Sequence, residues 1–294
     1  MSAPSEHDLS DAIETVRHYF AEELRFVAHL RSPAVVKAFA TVPRERFLGP
    51  GPWRIRSPMN GSQYWTTENA DPRHVYHDVL IALDETRGLN NGQPSLWASL
   101  LDHLNLSLSE HILHLGCGTG YYSAILAELV GPQGAVTALD IDERLAEEAR
   151  AALEPWHQVT VVTADGASYE PGPVDAIVAS AGATHPLAVW LDSLKPGGQL
   201  LLPLTADDRG GVMMLVTRHG AAVFAARLIR LVGFIEFAGV RDPRTQRLLT
   251  AALGRGNIDA VRSLRRDMHG EEESCWLHAE RWCLSRKDPV PSAR

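Results

Sequence analysis

The residues with most chemistry to offer stand in the string HILHLGCGTGYYSAILAELV. Gly116, Gly118 and Gly120 alternate there with Cys117 and Thr119, between an apolar strand-like run ending at Leu115 and a helix-like run opening at Tyr121. Glycines at such a turn let the backbone bend sharply and let a ligand approach closely, while the first N–H groups of the following helix have no partner inside it. The chemistry implied is the holding of a nucleotide-like cofactor. Asp140, followed by Ile141, ends the next apolar run about twenty residues on, where an acid can accept hydrogen bonds from both ribose hydroxyls. The plainer reading of Asp140 is a helix N-cap before Glu143. Asp165 and Gly166 end the run after that, where an acid accepts from an adenine amine and a glycine lets the chain pass beside the ring, although Asp-Gly is also a common turn. Ala179, Ser180 and Ala181 close a fourth run with the small side chains needed where cofactor and substrate meet. The spacing G-C-G-T-G departs from the G-x-G-x-x-G of dinucleotide enzymes, which disfavours a nicotinamide oxidoreductase.

These residues need a frame. From about Pro94 the sequence alternates helical and short apolar runs: helix over Ser95–Leu104, strand in HILHLG, helix over Tyr121–Val130, strand in AVTALDID, helix over Glu143–Leu153, strand in VTVVTAD. DAIVASA, the helical PLAVWLDSL, the turn KPGGQ and the strand LLLPL follow, and GVMMLVTRHG and AAVFAARLIRLVGF end the sheet. Strands rich in Val, Ile and Leu with amphipathic helices between them predict a parallel α/β sheet covered on both faces. Upstream, apolar residues at spacings of three and four from Leu9 to Ala40, broken near Ser32-Pro33, predict a helical cap of two or three helices. The polar, Pro- and Gly-rich stretch between is too long for a mere connector and is expected to cover something. Beyond Asp242, helices are expected over Arg244–Leu253 and Ile258–Met268, then a late strand or hairpin in CWLHAERWCLS and a loose tail, KDPVPSAR. The domain reading is a cap and covering loop over 1–93, a cofactor-binding core over 94–240 and an extension over 241–294.

Composition excludes several alternatives. A net charge of −8 and a pI near 5.9 argue against a nucleic-acid surface. No window approaches the roughly eighteen apolar residues of a membrane helix, and the N-terminus has no apolar leader, so a cytoplasmic protein is expected. The three cysteines, Cys117, Cys275 and Cys283, form no closed disulfide set and no C-x-x-C, so no metal site is expected. His74, His77 and Asp78 have metal-compatible spacing but no evident further ligand, and the plainer reading has Tyr76 and Asp78 ordering their loop. Trp97, Trp156 and Trp190 read as core, and Trp276 and Trp282 as anchors of the late strand. Tyr64 and Trp65, in the polar insertion, either line an acceptor pocket or pin the loop.

The turn G-C-G-T-G resembles motif I of S-adenosylmethionine enzymes, and the sequence from about Val35 to Phe237 resembles the protein-L-isoaspartate O-methyltransferase family. VPRERF is similar to its VPRE-F segment, VYHD to AY-D, GLNNGQP to G-Q-T-I-S-Q-P, HLGCGTGYYSAILA to LEIGTGSGYQAAVLA, ADG to GDG and LVGFIEF to RFVPL. The resemblance implies a Rossmann-like S-adenosylmethionine methyltransferase fold: α/β, with a mostly parallel seven-stranded sheet, helices on both faces, an N-terminal helical cap and a C-terminal extension. It implies a cofactor held by Leu115, Gly116, Cys117, Gly118, Gly120, Tyr121, Asp140, Ile141, Asp165, Gly166 and Ser180. In the family a hydroxyl residue precedes Gln-Pro and holds the substrate carboxylate; here Gly92 stands there, and Asn90 and Asn91 replace Thr and Ile. The catalytic positions are therefore expected at Asn91, Gly92 and Gln93, and acceptor contacts at Tyr64, Tyr76, Asn90 and Ser95.

Methyl transfer is an in-line displacement at an activated carbon, so the enzyme must chiefly align the partners and exclude water. A carboxylate acceptor is ionised at neutral pH and needs no general base. The expected activity is carboxyl O-methylation of an aspartyl or isoaspartyl group in a peptide or protein, with room for one dedicated peptide substrate. The alternatives are a small-metabolite methyltransferase of the same fold and a cofactor-bound recognition module that has lost turnover through Gly92.

Overall fold

A computed structural model describes residues 6–206 and 210–289, so most of the expected KDPVPSAR tail lies outside the described residues. The chain gathers into two compact units: Met1–Ser109, Cys117–Val136 and Asp142–Val161 in the first, and Glu110–Gly116, Thr137–Ile141 and Val162–Arg294 in the second.

In the first unit, α1 (Glu6–Val27) packs on α2 (Pro33–Thr41), and both meet α3 (Pro94–Leu104). Phe20, Ala21 and Leu24 carry the buried face of α1, whereas Tyr19, Phe26 and Val27, which fit the same apolar periodicity, are exposed. The break at Ser32-Pro33 is built: Ser32 Oγ accepts from Val35 N–H at 3.4 Å, and proline occupies the first turn, where its missing N–H costs nothing. Buried Asp102 on α3 accepts from the backbone of Arg31 and Ser32 at 3.1 and 2.7 Å, locking the α1–α2 link to α3. The polar insertion forms a small antiparallel sheet, in the order β2 (Trp65–Thr66), β1 (Arg54–Arg56), β3 (Leu80–Asp84), β4 (Leu89–Asn90). Its strands are too short to show a periodicity, which is why the sequence reads as loop.

The larger sheet has ten strands in the order β13-β14-β12-β11-β10-β9-β8-β5-β6-β7. β5 (His111–Leu115), β8 (Val174–Ala179) and β9 (Leu194–Thr205) are parallel neighbours, with Leu115 opposite Ala179. β10 (Gly210–Arg218) and β11 (Phe224–Gly233) continue it antiparallel. β6 (Ala135–Asp140) and β7 (Val159–Thr163) complete the β5 side. The central strands are apolar without alternation: Leu200 to Leu202 and Val212 to Val216 are buried throughout, as strands covered on both faces must be. KPGGQ, expected as a turn, bulges inside β9: pairing with β8 steps from Val174↔Leu194 to Ala176↔Gln199, and Gly197 takes φ +85.

The expected seven-stranded, mostly parallel sheet is therefore corrected to a mixed sheet of ten. The additional strands come from the C-terminal extension: β12 (Ser263–Arg265) pairs with β11, β14 (Cys283–Ser285) with β12, and β13 (Cys275–His278) with β14. The helix expected over Ile258–Met268 is a single 3₁₀ turn, Ile258–Ala260, leading into β12. Asn257 sits at φ +56, which stops a helix, and Leu264 pairs with Phe224 across the sheet; pairing decides a short apolar run that fits either period. The helix after Asp242 forms as α7 (Pro243–Arg255), where Asp242 caps Thr245 N–H at 2.7 Å.

Candidate active site

Four strand ends in the second unit present the expected cofactor residues. Gly116 leaves β5 at φ +73 and donates its N–H to Leu139 O at 2.8 Å, and a Cβ on it would meet nothing nearer than Ser180 Cβ at 3.8 Å. Asp140 ends β6 buried, and Ile141 beside it is 56% exposed. The capping alternative for Asp140 is taken by another residue: Asp142 accepts from Leu145 N–H at 3.2 Å and so caps α5 (Glu143–Ala152). Asp165 Oδ1 turns back to accept from Ala167 N–H at 2.9 Å. A Cβ on Gly166 would lie 3.0 Å from both Leu115 Cδ2 and Phe237 Cζ, and Trp190 Nε1 donates to Gly166 O at 2.9 Å, so glycine is needed there for packing. Ser180 donates its N–H to Leu115 O at 2.8 Å, and its hydroxyl lies 2.8 Å from His114 Nε2. Burial pushes His114 down to about 3, so its ring is neutral at physiological pH.

The rest of the turn belongs to the first unit. Gly118 and Gly120 have φ +57 and +96, and a Cβ on Gly120 would strike Leu153 Cδ1 at 2.7 Å. A Cβ on Gly118 would meet only Leu83 Cδ1, at 3.7 Å. Thr119 Oγ1 donates to Phe47 O at 2.6 Å. α4 (Tyr121–Val130) opens with Gly120 as its cap and no side-chain cap, which leaves its first N–H groups pointing off the helix end. Cys117 is buried filler beside Gly118 O.

Tyr76 and Asn91 gather in the first unit around a residue that sequence reasoning missed, and Gln93 and Ser95 gather around Asp78. Arg44 is fully buried, and its guanidinium donates to the carbonyls of Val75, His77, Val79 and Gly92 at 2.9, 3.0, 2.8 and 3.3 Å and to Asn91 Oδ1 at 3.2 Å. Desolvation holds its pKa below the ordinary arginine value. Asp78 serves α3 in the same way, accepting from Ser95 N–H and Oγ–H at 2.8 and 2.6 Å and from Gln93 Nε2 at 2.9 Å. Gly92 donates its N–H to Asn90 Oδ1 at 2.9 Å.

The same network holds several of the expected residues. Tyr76 is buried, accepts from Arg44 N–H at 3.2 Å and donates to Glu45. Burial pushes its hydroxyl well above the ordinary tyrosine value. Ser95 and Gln93 are committed to Asp78, and the Asn91 side-chain oxygen to Arg44. His74 Nε2 faces Asn69 Oδ1 at 3.1 Å. Tyr64 has Arg56 over its ring at 5.1 Å, in the β1–β2 hairpin. The signal for Arg44 was present in VPRERF, but no acidic partner announces it, because its acceptors are backbone carbonyls.

Residues 17–241 match the family model described as Protein-L-isoaspartate(D-aspartate) O-methyltransferase. Protein-L-isoaspartate O-methyltransferase 1 of Rhodopseudomonas palustris (strain HaA2) is 31% identical over 232 residues, covering 75% of this chain and 85% of its own. The protein-L-isoaspartate O-methyltransferase of Thermotoga maritima is 27% identical over 77% of this chain, and the chain spans only 63% of that protein's length. A solved structure described as a protein-L-isoaspartate O-methyltransferase superposes with TM-score 0.62 at 24% identity, over 80% of this chain and 68% of that one. Another, described as such an enzyme from Plasmodium falciparum in complex with S-adenosyl-L-homocysteine, gives 0.60 at 16% identity, over 75% of this chain and 97% of that one. The fold is thus the Rossmann-like α/β fold of the methyltransferases. The chain belongs to the protein-L-isoaspartate (D-aspartate) O-methyltransferase family.

Proposed function

We propose that the chain is an S-adenosylmethionine-dependent carboxyl O-methyltransferase acting on isoaspartyl or aspartyl groups of a peptide or protein. The observation that carries the cofactor assignment is the turn after β5, where Gly116 and Gly118 hold positive φ with no atom closer than 3.7 Å to a built Cβ, with the acid Asp140 at the end of the neighbouring β6. The residues fit the group: the backbone at Gly116 and Gly118 has room on its open side, and the α4 terminus carries no side-chain cap. In this reading Leu115, Gly116, Cys117, Gly118, Gly120 and Tyr121 form the cradle. Asp165 accepts from the adenine amine, Gly166 and Ile141 flank the ring, and Ser180 marks the methyl end.

The bound cofactor supplies a methyl group on a sulfonium. An acceptor carboxylate is already ionised at neutral pH, so taking that methyl with the sulfonium as leaving group would ask no side chain to accept a proton. No general base is therefore asked of His74, His77 or Asp78. Arg44 and Asp78 act as positioning residues, fixing the Asn90–Gln93 turn that matches the family's acceptor segment. Free cysteines and the lack, among the described residues, of any helix able to cross a membrane support a reducing, cytoplasmic setting.

The test is titration of S-adenosylmethionine and S-adenosylhomocysteine into wild type and Asp140→Ala, followed by mass spectrometry with an isoaspartyl peptide. Binding at least about ten-fold weaker in the variant, roughly 1.4 kcal/mol, is expected. The peptide should gain about 14 Da per turnover. No cofactor binding by wild type overturns the cofactor assignment; binding with no gain on any isoaspartyl peptide overturns the acceptor.

A further inference from the structure

Away from the cofactor strands, at the far end of the larger sheet, four residues of the C-terminal extension converge: His269, Cys275, His278 and Cys283. Their ligand atoms all lie within 4.8 Å of one another. We propose that this cluster is a structural Cys₂His₂ zinc site that staples the last three strands of the chain.

Three features favour a metal over a chance packing of thiols. The first is geometric. At Zn–S of about 2.3 Å and Zn–N of about 2.05 Å, the edges of a tetrahedron are about 3.6 Å for S···N. Cys275 Sγ stands 3.7 Å from His269 Nε2 and 3.8 Å from His278 Nδ1, close to that edge from two separate rings. The two rings meet edge to face at 69° rather than stacking.

The second is how the backbone brings the ligands together. Cys275 and His278 are three residues apart on one strand and would face opposite sides of a regular sheet. The register of β13 against β14 shifts between Cys275 and Leu277, and that irregularity turns both to one side. His278 lies opposite Cys283, which supplies the third ligand from β14, and His269 reaches in from the segment between β12 and β13.

The third is the shell around the ligands. His269 Nδ1 lies 2.9 Å from Asp267 O, so with its proton there the ring is held with Nε2 towards the cluster, as metal-bound histidines are held. Glu272 N–H donates to Cys275 Sγ at 3.4 Å, a contact that stabilises a thiolate. Arg265 ties the same segment together, donating to Asp267 at 3.0 and 2.6 Å and standing 3.7 Å from Glu272. Two thiolates and two neutral imidazoles neutralise one Zn²⁺ and fill its coordination, so the site is closed to substrate and holds structure only. All four residues lie beyond 241, where the family match ends.

The full chain, purified under reducing conditions without added metal and desalted, should carry about one zinc per chain by plasma mass spectrometry. Exchange with Co²⁺ should give the visible bands of a tetrahedral cobalt thiolate, and this readout on wild type does not depend on any variant folding. Cys275→Ala and Cys283→Ala should each lower zinc retention at least about ten-fold, while S-adenosylhomocysteine binding reports that the rest of the fold persists. Wild type that retains no zinc and develops no cobalt spectrum overturns the proposal. So does a non-reduced mass about 2 Da low, which would mark a Cys275–Cys283 disulfide instead.

Discussion

Restoring the hydroxyl that relatives carry before Gln-Pro, by Gly92→Ser, should damage this protein rather than improve it. Gly92 has φ +70, a conformation that costs an L-residue about 1–2 kcal/mol. A Cβ there would lie 2.6 Å from Trp97 Nε1, 2.8 Å from Trp97 Cδ1 and 3.0 Å from Tyr122 Cε2. Neither ring can retreat cheaply: both are buried, and they stack on each other with centroids 4.7 Å apart. Forcing an atom into such packing costs about 1–3 kcal/mol. The sum, roughly 2–5 kcal/mol, is a large share of a typical domain's 5–15 kcal/mol. Urea unfolding should show the midpoint falling with an unchanged slope. Gly49→Ser is the matched control, since Gly49 has φ +66 and nothing within 4 Å of its built Cβ; it should lose only the backbone share. Equal losses in the two variants would refute the packing argument. A Gly92→Ser protein that is as stable as wild type and methylates faster would refute the whole account of this turn.

Arg44→Met should cost about 3–5 kcal/mol in urea unfolding, because it strands acceptors on Val75, His77, Val79, Gly92 and Asn91; Arg44→Lys, with three donors and no fork, should recover only part of this. A loss under about 1 kcal/mol for the Met variant would mean water already serves those carbonyls. His114, down at about 3 from 6.5, stays neutral when folded but takes a proton when unfolded below pH 6.5. Its contribution is therefore intact above pH 6.5 and is lost as pH falls towards 3, at up to about 1.4 kcal/mol per pH unit; His114→Asn should flatten that slope, and parallel profiles would refute the assignment. The Tyr121 and Tyr122 hydroxyls are buried with no hydrogen-bond partner among the described residues, so Tyr121→Phe should be neutral or stabilising by about 1 kcal/mol in thermal unfolding, and a clear loss would reveal a partner such as water.

The parts legible in the sequence were those written along the chain. The periodic runs that became α3, α4, α5 and the central strands could be read because each decides its own structure, and Gly116, Gly118, Gly120 and Asp140 because a turn and the next strand end lie at fixed separations. What escaped was written across the fold. Nothing along the chain announces that Tyr76 meets Arg44 and Glu45, or that Ser95 meets Asp78, because each partner lies 17 to 32 residues away. The C-terminal cysteines were weighed only against each other, whereas their nearest partners are His269 and His278. Tyr19, Phe26 and Val27 match the apolar period of α1, yet periodicity alone does not say where the buried stripe stops.

The order of the larger sheet also bears on how this protein behaves in concentrated solution. An uncovered strand edge is a template for pairing with another chain. β11 would end the sheet if the chain stopped at residue 241, where the family match does, and it is ten residues long with Leu231 68% exposed. Instead β12 takes up its first residues at Phe224 and Ala225, exposed Arg227 and Arg230 follow along it, and the outermost place passes to β13, which is four residues long and irregular in register. The extension thus serves as both hem and lining: trimming it would bare the β11 edge and also strip Leu249, Leu264 and Trp276 from the core they share with Leu115 and Ala179.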